Sequence, residues 1–249
     1  MTNLTGLAPA ARPVLFNDHV RFDRFTHLSF DCYGTLIDWE TGILAVLRSV
    51  LERHGVAAED EALLRLYARR EAEAEAGDYR PYRDVLRGVM TGIAETLVFE
   101  PTDADLDALP DSVGRWPPFA DTVAALKRLK TRFKLVILSN IDDAMFTETN
   151  RLLDVEFDEI VTAQQVGSYK PSHANFEHML ARLAVPRENI LHVAQSIFHD
   201  HVPAKTLGLA TVRVNRESRC PRTGVAPPAH AEPDIEVPDM MGLVRAVGL

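Results

Sequence analysis

The chain has 249 residues, with 36 Asp and Glu against 27 Lys and Arg for a net charge of -9, a balance that argues against nucleic acid as the main partner. Hydrophobic residues make up 46% and charged ones 25%, enough for one large domain or a core with a smaller insert. Two cysteines, Cys32 and Cys220, exclude a disulfide framework or cysteine-rich metal cluster; no stretch approaches the ~20 apolar residues of a membrane span or a signal-peptide core, so a soluble cytoplasmic protein is expected.

In chain order, residues 1–22 carry scattered Pro, Asn and Gly and read as an irregular N-terminal arm. Phe25 to Phe30 is a short β-prone run, and Gly34-Thr35 turns the chain after it, which puts Asp31 at a strand's carboxyl end. From Thr41 the spacing of Ile43, Leu44, Leu47, Val50 and Leu51 predicts a helix stopped by His54-Gly55. Further helices are predicted over Ala62–Ala76 and Val85–Phe99, so 39–115 reads as an all-helical insert. After Pro117-Pro118 the pattern alternates. Helices at Ala120–Lys130, Asp143–Leu153, Asn175–Leu183 and Val202–Leu207 are interleaved with the strands KLVILSN, EIVTAQQV, ILHVAQS and ATVRVNR. Such alternation predicts an α/β fold, a doubly wound, Rossmann-like parallel sheet built from 23–38 and 116–249. Residues 217–233 read as a loop or lid, and a terminal helix starts at Met240.

In such sheets ligands sit beyond the carboxyl ends of the strands, where Asp31, Ser139 with Asn140, Gln165, and Ser196 with Asp200 are expected to converge. A carboxylate at a strand end followed by Tyr-Gly-Thr suits covalent catalysis, and equally suits a cap on the next turn. The ordered set Asp31-Cys32-Tyr33-Gly34-Thr35, Leu138-Ser139-Asn140, Lys170-Pro171 and Val193 to Asp200 resembles the haloacid dehalogenase superfamily, and Asp-x-Tyr-Gly-Thr resembles its L-2-haloacid dehalogenase branch.

The resemblance implies that the helical insert is a cap domain and that Asp31 is a nucleophile forming an ester that water later hydrolyses. It implies that Thr35 orients Asp31, and that Lys170 stabilises that carboxylate. Asp200 is assigned to the hydrolytic water or to an ion pair with Lys170, and Ser139 and Asn140 to a substrate carboxylate or departing halide. Tyr33, Ser196 and Tyr82 are placed on the substrate's side, with Tyr79 and Trp39 as further pocket aromatics. A cap arginine is expected, with Arg69 preferred to its neighbour Arg70. The implied substrate is a small 2-haloalkanoic acid, used without cofactor, and a homodimer is the base-rate assembly.

A phosphatase of the superfamily carries a second Asp where this chain has Tyr33, and an acid where it has Gln195. A Mg²⁺-dependent phosphatase, with Asp31 and Asp200 on the metal, is therefore the alternative, and a silent binding protein the third reading. Phe176 stands where the dehalogenases have a tyrosine, and Ala194-Gln195-Ser196 replaces their Ser-Ser-Asn. Of the histidines around Asp200, His192 is expected to pack and His199 and His201 to face solvent, although one of them is a candidate base.

Overall fold

Parallel strands covered on both faces need continuous apolar runs, and Leu135 to Leu138 and Ile190 to Val193 supply them, His192 apart. The computed structural model describes residues 15–16, 21–216 and 229–249. In chain order its elements are β1 (Leu15–Phe16), β2 (His27–Phe30), α1 (Trp39–Arg53), α2 (Asp60–Glu75), α3 (Tyr82–Leu97), α4 (Asp103–Ala108), α5 (Thr122–Lys130) and β3 (Lys134–Ser139). There follow α6 (Asp143–Leu153), β4 (Glu159–Thr162), α7 (Ala163–Val166), α8 (His173–Leu183), β5 (Ile190–Ala194), α9 (Val202–Thr206), β6 (Ala210–Val214), β7 (Ile235–Val237) and α10 (Met240–Ala246).

The strands form one seven-stranded sheet in the order β1-β7-β6-β5-β2-β3-β4. All neighbours are parallel except β1, which runs antiparallel to β7. The expected α/β class is therefore present. From β2 the chain winds out to β3 and β4 on one side and returns to β5, β6 and β7 on the other, so the topological switch lies at the end of β2.

Several local expectations change. Leu15–Phe16 of the supposed arm is a strand, paired with Ile235 and Glu236; the rest of 1–20 lies outside the described residues. EIVTAQQV is half strand and half helix, because the Thr162 hydroxyl accepts from Gln165 N at 3.2 Å and starts a new helical turn. Of the predicted loop or lid, 217–228 also lies outside the described residues.

Between β2 and β3 the chain is helical from Trp39 to Ala108, apart from its connections, and a 3-10 turn, Pro110–Arg115, leads back. Asp38 caps α1 through Thr41 N, and α1 buries Ile43, Leu44, Leu47, Val50 and Leu51, the stripe visible in the sequence. The inserted helices are fastened to the sheet by Asp142, whose two carboxylate oxygens accept from Tyr82 N and Arg83 N, at 2.9 and 3.0 Å. These first-turn N–H groups of α3 would otherwise lack partners. No helix among the described residues is long and apolar enough to cross a membrane.

Candidate active site

Phe30 of β2 is in register with Ile137 of β3 and Val193 of β5, so the segments after these strands open on one crevice. Asp31 is the first residue past β2 and its N–H still donates to Val193 O, at 3.1 Å. The chain then turns at Gly34, whose φ of 96° suits a residue without Cβ. Three contacts fix the turn. The Thr35 hydroxyl donates to Asp31 Oδ2 at 2.6 Å and accepts from Gln195 N at 2.9 Å, while the Arg216 guanidinium holds Thr35 O at 3.1 and 2.9 Å.

Lys170 enters from the segment after α7, with only 2% of its surface exposed. Its ammonium makes three hydrogen bonds: to Asp31 Oδ1 at 2.9 Å, to Asp200 Oδ1 at 2.7 Å and to Leu138 O at 2.9 Å. Asn140 holds the lysine's backbone on both sides, Nδ2 donating to Lys170 O at 3.0 Å and Oδ1 accepting from Lys170 N at 2.7 Å. Asn140 also lines the pocket, and Lys170 O takes only one of its two amide hydrogens, so the geometry does not remove the expected donor role toward substrate.

Asp200 sits in a π-helical turn, Ile197–His201, which follows β5. Its Oδ1 also meets His192 Nε2 at 3.1 Å, and His192 Nδ1 meets Ser29 Oγ at 2.9 Å. A buried chain of polar contacts thus runs Asp31, Lys170, Asp200, His192, Ser29. Phe176 closes it with a ring edge-on to His192, centroids 5.2 Å apart.

Burial drives the Asp31 carboxyl above its ordinary range, helped by the negative Asp200 and opposed by Lys170. For Asp200 burial pushes the same way, but Lys170 and His192 outweigh it and hold the carboxyl well below its usual value. Lys170 is held above its usual value: burial opposes its charge, and the two carboxylates more than compensate. Of the two carboxyls, Asp31 is therefore the one that gains a proton first on acidification.

The crevice above Asp31 is a cavity of about 130 Å³. Asp31, Ser139, Asn140, Lys170, Gln195, Ser196, His199 and Asp200 line it from the sheet side. Tyr33, Trp39, Tyr67, Glu71, Glu75, Tyr82 and Trp116 line it from the turn and the inserted helices. The Ser139 hydroxyl and Asp200 Oδ2 are buried and have no hydrogen-bond partner among the described residues. Tyr33 stands edge-on to Trp116, centroids 5.7 Å apart, and its phenol pairs with Thr149 Oγ1 at 2.8 Å. Burial raises that phenol well above its ordinary value, which makes it a still weaker acid. Ser196 Oγ accepts from His199 N at 3.1 Å and pairs with His199 Nδ1 at 3.1 Å.

Four expectations fail on geometry. Arg69 is solvent-exposed on α2 and does not line the cavity; the pocket-facing positions of that helix are Tyr67, Ala68, Glu71, Ala72 and Glu75. Arg70 points elsewhere, to Glu73 and Thr96. Tyr79 is outside the lining, reaching Asp142 at 3.4 Å, and Gln165 is spent on Asp143 at 2.8 Å. His199 and His201 do not face solvent: His199 lines the cavity, and His201 is buried with Nε2 on Ala194 O at 3.0 Å. Burial lowers both imidazoles to about 4, so both are neutral at pH 7.

Tyr67, Glu71, Glu75 and Trp116 went unnoticed in the sequence. The first three recur every four residues on one helix, a spacing that stacks them on one face.

Magnesium requires about six oxygen ligands in near-octahedral array. Here Asp31 and Asp200 each give Oδ1 to Lys170, Asp31 Oδ2 serves Thr35, and the neighbouring Gln195 is neutral, so this donor set fits the ion poorly. Among the described residues no group of three or more His, Cys, Asp or Glu side chains is arranged to hold a metal.

Comparison with known proteins gives concordant results. Residues 25–197 match the family model described as haloacid dehalogenase-like hydrolase. An (S)-2-haloacid dehalogenase of Pseudomonas fluorescens is 27% identical over 201 residues, which cover 76% of this chain and 84% of that protein. A glyceraldehyde 3-phosphate phosphatase of Methanothermobacter thermautotrophicus is 32% identical, but over 103 residues, 40% of this chain and 46% of that protein. The crystal structure of the L-2-haloacid dehalogenase PA0810 superimposes with a TM-score of 0.77 at 21% identity, covering 90% of this chain and 98% of that one.

Proposed function

The chain belongs to the haloacid dehalogenase-like hydrolases, and from that membership we propose that it displaces halide from a small 2-haloalkanoic acid through an ester on Asp31. The observation that carries the reading is Tyr33. A phosphate ester expels an alkoxide that needs a proton, and the position two residues beyond the nucleophile holds a buried phenol tied to Thr149. A halide leaves with the bonding pair and needs none.

In this reading one Asp31 oxygen attacks the halogen-bearing carbon from the face opposite the halogen, so the C–O bond forms as the C–X bond breaks. Thr35 and Lys170 hold the carboxylate so that no reorientation is needed at that moment. The unpartnered Ser139 hydroxyl, beside Lys170, supplies a donor for the substrate carboxylate. Water then adds to the Asp31 carboxyl carbon, with the lining residues Asp200, whose Oδ2 is unbonded, and His199, whose imidazole is neutral, as the acceptors that can orient it. The acyl bond breaks, the product oxygen takes up the proton released by water, and Asp31 is regenerated. Overall, R–X and water give R–OH, halide and a proton.

The test is a single turnover in H₂¹⁸O with enzyme in excess over 2-chloropropionate. The label is expected in the Asp31 carboxylate and not in the product hydroxyl, and Asp31→Asn is expected to release no halide. Label in the product from the first turnover would rule out the ester. The phosphatase reading makes the opposite demand: phosphate release from phosphomonoesters on adding Mg²⁺, and none in EDTA.

A further inference from the structure

The roof of the cavity has the wrong charge for a carboxylate. Glu71 and Glu75 lie four residues apart on α2, both facing the space above Asp31, and Lys170 is the one Lys or Arg in the lining. Glu71 accepts from the Tyr67 hydroxyl at 2.9 Å and from Tyr82 Oη, and no Lys or Arg is bonded to it. Glu75 makes no hydrogen bond or ion pair among the described residues, and burial together with the neighbouring Glu71 raises its carboxyl well above its usual value. Lys170 attracts the Glu75 carboxyl without outweighing its burial, and among the described residues neither glutamate is bonded to a Lys or Arg, so a cation in the cavity would stabilise the charged form of both.

Two further features of the same cavity point to a ligand. Beside Ala68 and Ala72 the roof carries aromatic rings, with Trp39 against Tyr67 at a centroid distance of 5.8 Å and Trp116 beside Tyr33. Ring faces next to carboxylates form a surface that attracts an organic cation. On the floor, the Ser139 hydroxyl is 98% buried and unpartnered, a polar group awaiting a partner from the cavity.

From this arrangement we infer that the substrate carries an ammonium group at the end it presents to α2, so that the enzyme acts on small aminated 2-haloalkanoic acids. The inference rests on halide displacement at Asp31. The carboxylate lies low, near Ser139 and Lys170, the halogen-bearing carbon faces Asp31, and the ammonium sits between the aromatic rings and the two glutamates. The cavity, of about 130 Å³, is small for a ligand pocket, which restricts the substrate to a short-chain acid.

The test separates binding from turnover. Calorimetric titration of the Asp31→Asn protein with 4-aminobutanoate and with butanoate measures the roof without any chemistry. The amine is expected to bind at least tenfold tighter, and Glu75→Gln to reduce that ratio by tenfold or more. Glu71→Gln, which keeps an acceptor for the two phenols, is expected to reduce it as well. Halide release from 4-amino-2-chlorobutanoate against 2-chlorobutanoate is expected to follow the same order in kcat/KM. Equal binding of the two ligands, or a ratio that both Gln variants leave unchanged, would overturn the ammonium assignment. Preferential amine binding without halide release from either chloro acid would leave the roof's specificity standing and refute the dehalogenase reading on which the substrate assignment depends.

Discussion

Replacing Lys170 by Met tests the central cluster, because it removes one charge and keeps most of the side-chain volume. Three hydrogen bonds of 2.7 to 2.9 Å are lost at once, and Asp31 and Asp200 are left as neighbouring buried carboxylates without a cation. Breaking a buried ion pair from one side costs about 3–5 kcal/mol when the remaining charge stays ionised. The protein reduces that cost by protonating Asp31, whose carboxyl burial already places above its ordinary value. The variant's Asp31 therefore has a folded-state pKa further above its unfolded one. Stability lost to the substitution is expected to be largest at high pH and to shrink as pH falls through that raised value.

For turnover the same shift means that the nucleophile is ionised only at higher pH, and at pH 7 a ~10²–10³-fold fall in kcat is expected, comparable to losing an aligned donor in an active site. The assay is halide release from pH 5 to 9, paired with urea unfolding at both ends of the range. An acid limb at the wild-type pH, with lowered stability alone, would refute the argument and reduce Lys170 to a structural brace.

His192→Leu deprives Asp200 of its second partner and is expected to lower kcat about tenfold and displace the acid limb with little change in KM, while His192→Gln recovers part of the loss; an unchanged pH profile in both would deny His192 any positioning role. In Gly42→Ala the new Cβ would sit 2.2 Å from Trp116 Cδ1, so the indole must move, at about 1–3 kcal/mol and with a raised KM because Trp116 walls the cavity; wild-type Tm and KM would contradict this packing. Val98 ends α3 at φ 59° and is 88% exposed, a β-branched residue in the left-handed region, so Val98→Gly should raise stability by ~0.5–1 kcal/mol in urea melts, and a lower midpoint would count against strain there. Halide release is expected to persist in EDTA, given that Lys170 takes one oxygen of each carboxylate and Thr35 the second oxygen of Asp31; its abolition and rescue by Mg²⁺ would reverse that assignment.

Features dictated by local pattern could be read from the chain, and those dictated by packing across it could not. Asp31 at a strand end, the helical stripe of α1 and the alternation after Pro117 follow from spacing along the sequence. Lys170 and Asp200 came through the ordered motifs, since nothing in the dipeptide Lys170-Pro171 places an ammonium within 3 Å of a carboxylate 139 residues earlier. Arg69 misled because a charge was expected and one was at hand, whereas which side of α2 faces the cavity is decided by the burial of Leu63, Leu64 and Tyr67. His199 and His201 were assigned to solvent as polar residues near a helix start; the π-helical turn after Ser196 rotates both inward. The short β1 was invisible for another reason: two residues carry no periodicity, and its partner β7 lies more than 200 residues away.

The departures from the phosphatase pattern also fall into a spatial order that sequence alone conceals. Around Asp31, Tyr33 and Gln195 are neutral where phosphatases of the superfamily carry acids, so the floor holds two carboxylates against one ammonium, a net single negative charge when all are ionised. On the roof the change runs the other way, for Glu71 and Glu75 add carboxyl groups and the arginine expected there is turned out to solvent. The carboxyl groups added to this cavity thus lie at its top and those missing relative to the phosphatase pattern lie at its base, and a zwitterion with its carboxylate down and its ammonium up matches that order. Because the two sets of residues belong to different elements, the reaction at Asp31 and the choice of substrate can be altered independently. Glu75→Gln should change which molecules are turned over and leave the ester at Asp31 as the intermediate for those that are.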